Sequence, residues 1–283
     1  MQETLVTLMV LAACAAAVFG SKEQIFKTFE WYSSPLDWCE QNEVYSPYIV
    51  EFWNTVTSAL LAVIGIAGWW VYKKNPSIHK YEPQFVLVWA IMFVVGVGSV
   101  WFHGTLSVAG QVSDEVPIVV LACVAIMMAR PKANWSGKSR EIALNGHTLV
   151  RATTVLCVFC LFFPVVSHLF TLVCFPGCGY YFLTDYAKSK NPQFKALFWT
   201  AIGFFCLAFT SWITDRVACE QMTKFGEMYL GGYPQLHAIW HVLIGTTFWL
   251  LIALGIVMRA EQDGVQFSIQ KHHGVLPVVH MMV

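Results

Sequence analysis

Charge is what this sequence has least of. Only 12% of its 283 residues are Asp, Glu, Lys or Arg, about half the roughly 25% usual in a soluble domain. The formal net charge is zero, and no basic patch is present, which argues against nucleic acid as a partner. Internal repeats, low-complexity tracts and any linker long enough to set off a second domain are also missing. A single folded unit is expected.

In place of charge there is apolar sequence, 57% of the chain. It is gathered in long blocks, the mark of a multi-pass membrane protein. Seven segments read as spans: roughly 48–72, 84–103, 112–130, 149–164, 166–186, 194–215 and 234–258. The fold expected is an all-α, seven-transmembrane helix bundle. The fourth and fifth spans are the least distinct, because Pro164, Pro176 and several glycines interrupt them and almost no polar linker divides them. An eighth apolar stretch, 4–20, ends in Val18-Phe19-Gly20-Ser21, with small residues where a signal peptidase cuts. Its n-region holds Glu3 in place of the usual positive charge. Residues 1–20 are therefore either a signal peptide or an extra apolar segment, residues 21–258 the membrane domain, and 259–283 a tail.

Orientation follows from the basic residues. Thirteen of the 17 Lys and Arg fall in the connections after spans one, three and five or in the tail. The opposite side has Lys22, Lys27, Arg216 and Lys224. The excess belongs in the cytosol, so the N-terminus is expected outside or in the lumen and the C-terminus in the cytosol. The sequon Asn134-Trp135-Ser136 then lies on the cytosolic side and is expected to stay unmodified. Most of the nine cysteines are inside spans, where thiols are ordinary packing. Cys39 and Cys219 lie at the outer edge, an oxidising compartment, and are a candidate disulfide pair.

Ionisable groups inside spans are costly and mark function by default. In Gly96–Pro117, Ser99 and His103 are four residues apart, on one face near the outer end of span two. Asp114 opens span three, also outside. His237 and His241, again four apart, open span seven at its outer end. Three imidazoles, a hydroxyl and a carboxylate from three spans thus share one depth. Three histidines leave a zinc ion its fourth position for water. Asp114 is then the candidate general base, and Ser99 the candidate donor to a developing oxyanion. Taken singly each is ordinary. An HxxxH pair also occurs bonded to polar neighbours, a lone serine is usually packing, and Asp114 suits a helix cap within Ser113-Asp114-Glu115. The shared depth favours the metal.

A second cluster precedes span one. Asp37, Glu40, Asn42 and Glu43 crowd a short loop, and Glu51 follows about a turn into the span. Hard oxygen ligands suit calcium, although EF-hand spacing is absent. Spacing alone favours a solvated acidic loop, except for Glu51, which needs a partner. Many of the 12 tryptophans and 10 tyrosines fall near span ends, as an aromatic belt requires. Asp215-Arg216 is a candidate ion pair, and His272-His273 are expected solvated in the tail.

The motifs Asp37-Trp38-Cys39-Glu40, Glu51-Phe52-Trp53-Asn54-Thr55, Ser99-x-x-Phe102-His103-x-Thr105-Leu106, Asp114-Glu115-x-Pro117, Trp212-x-x-Asp215-Arg216-x-x-Cys219-Glu220 and His237-x-x-Trp240-His241 stand in this order. Together they resemble the alkaline ceramidases, seven-span amide hydrolases of the superfamily that includes adiponectin-type receptors. The match covers roughly residues 33–245. The resemblance implies zinc held by His103, His237 and His241, with Asp114 and Ser99 catalytic. It implies calcium held by Asp37, Glu40, Asn42 and Glu51, with the backbone carbonyl of Trp38. It also implies a Cys39–Cys219 disulfide and, as substrate, a ceramide drawn from the bilayer. The apolar stretch 4–20 departs from the short N-terminus of that family. The competing readings are a zinc-bearing receptor, a metal or proton transporter, and a purely structural seven-span protein. The membrane implied is that of the endoplasmic reticulum, the Golgi or the cell surface, and acyl-chain preference is not legible.

Overall fold

The computed structural model describes residues 27–74, 78, 84–129, 146–272 and 276–281. The segment 1–20 and the sequon at Asn134 lie outside the described residues. The described chain is mainly helical. Helices α1 (Phe52–Lys73), α2 (Gln84–Thr105), α3 (Val108–Ala129), α4 (Gly146–Phe162), α5 (Pro164–Lys188), α6 (Pro192–Val217), α7 (Cys219–Tyr229) and α8 (Leu236–Gln262) are followed by strands β1 (Phe267–His272) and β2 (Leu276–Met281). Five of the helices, α1, α2, α3, α6 and α8, are long and apolar enough to cross a membrane. Helices α4 and α5 occupy the two least distinct segments. Only Phe163 separates them, and Pro164 opens α5, where a missing N–H costs nothing. The backbone of α5 stays helical through Pro176, a position the sequence reading treated as an interruption.

The helix starts explain the placement of several polar residues. Glu51 stands immediately before α1 and makes no cap bond of its own. The free N–H groups of Trp53 and Asn54 are satisfied from the loop instead, by Glu40 Oε1 at 2.6 Å and Oε2 at 2.8 Å. A carboxylate is the favoured charge there. Helix α6 is capped locally: Asn191 Oδ1 accepts from Gln193 and Phe194, with Pro192 in the first turn. Helix α3 begins at Val108, ahead of the expected start near 112. Asp114 is therefore well inside the helix and is not a cap. A Cβ at Gly98 would meet the carbonyl of Ser113 and the nitrogen of Asp114. Glycine lets the α2 and α3 backbones approach where Ser99 must reach Asp114.

One large apolar core unites α1, α2, α3, α5, α6 and α8, with Tyr72, Trp89 and Trp249 at its centre. The chain end joins it. Strands β1 and β2 pair antiparallel, Phe267 opposite Met281. Val278 and Val279 are buried in the core, and Trp249 Nε1 donates to the Pro277 carbonyl at 2.8 Å. Much of the expected tail is thus a docked hairpin. Each strand has only six residues, too short to register beside the helical blocks. His272 ends that ladder opposite Leu276, and His273 is outside the described residues.

Candidate active site

Three buried imidazoles converge at one end of the bundle. Helix α2 carries His103 in its last turn, and α8 carries His237 and His241 in its first two. One ligand atom from each lies within 4.8 Å of the others. Ring centroids are 5.0 Å apart for His103–His237 and His103–His241 and 4.6 Å for His237–His241. The i, i+4 spacing on α8 places its two rings on one face. Among the described residues this is the one such group of His, Cys, Asp or Glu.

Neighbouring residues fix the orientation of each ring. Glu51 Oε2 accepts from His103 Nδ1 at 2.5 Å, which leaves His103 Nε2 buried without a partner. Thr57 Oγ1 lies 2.9 Å from His241 Nδ1 and gives its own proton to the Trp53 carbonyl. The oxygen is then the acceptor, the proton sits on His241 Nδ1, and the Nε2 lone pair is free. His237 is stacked on Trp38, centroids 3.5 Å apart, and its Nδ1 is also buried and unpartnered. Orphaned nitrogens of this kind fit a metal ion with outer partners setting the ligand tautomers.

Beside the imidazoles, Ser99 Oγ is hydrogen-bonded to the Asp114 carboxylate and lies 2.9 Å from Ser58 Oγ. Ser99 is buried, and with Asp114 it lines the same cavity as His237 and His241. The rest of that cavity is almost entirely apolar. Along α8 its wall runs His237, His241, Ile244, Phe248, Leu251 and Gly255, one face of a helix. At ~1.5 Å per residue this wall extends roughly 27 Å.

The acidic loop lies against the histidines. Disulfide-bonded Cys39 and Cys219 hold it to the start of α7, and Val50 N and Glu51 N donate to the Gly104 and His103 carbonyls. Glu51 is fully buried. It sits just ahead of α1, not a turn inside it, and its partners are His103, the Trp38 N–H and Asn54 Nδ2. Glu40 caps α1. Burial pushes its carboxyl up to about 7, the Trp53 and Asn54 N–H groups pull it back, and the charges of Glu51 and Asp215 add to the rise. Asn42 lies 3.4 Å from Asp37, with its Oδ1 buried and unpartnered. Crowded carboxylates and an orphaned amide oxygen fit a hard cation.

The family model described as Ceramidase matches residues 30–280. The chain belongs to the ceramidase family. Among curated relatives, "Alkaline ceramidase 1" of Homo sapiens is 30% identical over 233 residues, 78% of this chain and 81% of that protein. "Alkaline ceramidase 1" of Mus musculus is 29% identical over 245 residues, 86% and 85%. "Alkaline ceramidase" of Arabidopsis thaliana is 28% identical over 253 residues, 87% and 92%.

The site of this ceramidase-family chain also holds residues that sequence reasoning missed or placed otherwise. Trp38 was considered only for its backbone carbonyl, yet its ring covers His237. Asp215 and Arg216 do not pair: adjacent residues on a helix point apart. Asp215 accepts from Cys39 N at 3.2 Å, His237 N at 3.1 Å and the Tyr233 hydroxyl. Arg216 Nη1 donates to the Asp37 carbonyl at 2.8 Å, and its guanidinium lies 5.0 Å from the centre of the Trp38 ring. His168 on α5 lines the cavity. The signal was a histidine at the expected outer end of an apolar span, the same signal that found His103.

Proposed function

We propose that this chain hydrolyses the N-acyl bond of ceramides, releasing a sphingoid base and a free fatty acid, at a zinc ion held by His103, His237 and His241. The observation that carries the reading is the convergence of three imidazoles beside Asp114 and Ser99 at the polar end of a long apolar cavity. Family membership supports the reaction class, and no observation favours a receptor or a transporter. Zinc, when bound, supplies an acidified water and a Lewis acid for the amide carbonyl.

The chain's own residues supply the remainder. Asp114 accepts the proton of the attacking water and returns it to the leaving amine. Ser99 donates its hydroxyl proton to the oxyanion as charge develops. Glu51 and Thr57 hold protons on the Nδ1 atoms of His103 and His241, keeping the opposite nitrogens available. The apolar wall accommodates the lipid chains over a length close to the ~30 Å hydrocarbon core of a bilayer. In this reading all seven long helices cross the membrane, with the N-terminal side outside or in the lumen and the reactive end facing that compartment.

The test uses detergent-purified full-length protein. Elemental analysis should find about one zinc per chain, as three-histidine catalytic sites hold one ion. A panel of acyl-labelled ceramides should release labelled fatty acid. Zinc-loaded protein that cleaves no member of the panel would retire the reading.

Calcium at Asp37, Glu40, Asn42, Glu51 and the Trp38 carbonyl would brace the loop that presses on His103 and His237, and so tune activity without taking part in chemistry. Because Glu51 touches both the loop and His103, Glu51→Ala should lower activity about 10- to 100-fold, the usual effect of losing an outer partner of a metal ligand. It should also flatten the response to chelator and added calcium. Calcium titrations of activity in the two proteins check this. A wild-type response in the variant removes Glu51 from that role.

A further inference from the structure

The mechanism above leaves one polar constellation in the cavity unused. His168 lies one turn into α5, where its Nδ1 is 2.9 Å from Glu115 Oε1. The other Glu115 oxygen accepts from Gln111 Nε2 at 3.1 Å. That amide also donates to the Pro164 carbonyl, and Gln111 Oε1 accepts from Ser34 Oγ at 3.0 Å. Gln111 and Glu115 are buried. A polar chain therefore runs from the N-terminal loop through α3 to α5, and His168 is its cavity end. The ring is fixed on its face as well, stacked on Trp212 of α6 with centroids 5.5 Å apart. His168 lines the cavity together with Asp114 and His237 and lies within electrostatic reach of His237.

The proton arrangement follows from the partner. Glu115 accepts from Gln111 at one oxygen; where its other oxygen accepts from the imidazole as well, the ring carries its proton on Nδ1 and presents Nε2 as a lone pair. Trp212 covers its face, and most of the cavity wall beyond is apolar. A fixed acceptor in such a place selects a ligand that brings its own O–H or N–H. In an acyl amide held at Asp114 and Ser99, the amide N–H belongs to the reacting group. The remaining donors within a few bonds of the nitrogen are the hydroxyls of the amine portion.

We propose that His168, oriented by Glu115, reads a hydroxyl of the lipid's amine portion and so restricts the substrate class to N-acyl amino alcohols. The inference rests on the ceramide-hydrolysing reading and deepens it. A site built to bond a substrate hydroxyl discriminates strongly against the analogue without it. Glu115 acts through His168 and is a positioning residue.

The experiment measures kcat/KM of full-length, zinc-loaded protein on three substrates of one acyl chain: a ceramide, its analogue lacking the primary hydroxyl, and its analogue lacking the secondary hydroxyl. Wild type should favour the ceramide over one analogue by about 10- to 100-fold, the effect of one buried hydrogen bond. His168→Phe retains the ring stack on Trp212 and should retain bound zinc. It should cut the ceramide far more than that analogue, bringing their ratio to within about threefold of unity. An unchanged ratio overturns the proposal, as does an equal loss on all three substrates or a wild type indifferent to both hydroxyls. Wild type that cleaves none of the three fails the ceramidase reading instead.

Discussion

His241→Ala should remove the bound metal and the hydrolytic activity together. His241 is a buried member of the imidazole group, its ring 5.0 Å from that of His103 and 4.6 Å from that of His237. Thr57 holds its Nδ1, so the opposite nitrogen is available as a ligand. Alanine leaves two imidazoles, one short of the three protein ligands of a catalytic zinc site. Loss of a ligand should exceed the ~10- to 100-fold effect of losing an outer partner, so activity should fall on the order of 1000-fold or more. Zinc per chain, by elemental analysis of protein purified without added metal, should drop from about one toward zero. Thr57→Val is the graded comparison, since it frees His241 Nδ1 without removing the ligand. A His241→Ala protein that keeps full zinc and activity would falsify the three-histidine site.

Asp114→Asn separates chemistry from metal binding. Asn is nearly isosteric, and its amide can still bond Ser99 Oγ, so the Ser99–Asp114 contact between α2 and α3 is preserved. What it cannot do is take a proton. General-base loss typically costs about 10²- to 10⁴-fold. The decrease is expected in kcat, with zinc content equal to wild type and little change in KM. Single-turnover release of labelled fatty acid, measured beside zinc stoichiometry, reads both quantities. Activity within tenfold of wild type would remove Asp114 from the proton-transfer role and leave it a structural partner of Ser99.

Several contacts behind these expectations follow from sequence distance rather than local pattern. His237 and His241 were legible as a pair because four residues make just over one helical turn. Their approach to His103 was suggested by shared depth and by the family resemblance. No partner was read for His103: Glu51 was assigned to the acidic loop, and its carboxylate also holds the imidazole. Both assignments use the same carboxylate, and only the packing of α1 against α2 brings its Oε2 to His103 Nδ1. Asp114 was sought at a helix start, since Ser113-Asp114-Glu115 has the composition of a cap. The helix begins at Val108 because Ser107 Oγ, 3.1 Å from the Gly110 N–H, meets that end earlier. Glu40 caps a helix that starts twelve residues later, beyond the reach of any local capping rule.

The amino-acid order by itself determined what depends on period and composition. Long apolar blocks, their lengths, the one-sided distribution of Lys and Arg, and the i, i+4 face of α8 all arise within a few turns of chain, where backbone geometry leaves few choices. Tertiary structure alone decided which distant side chains complete each other: Glu51 with His103, Glu115 with His168, Trp38 with His237, and the hairpin with the core around Trp249. Those pairings are set by how helices pack across the bundle, where a shift of one turn exchanges every partner.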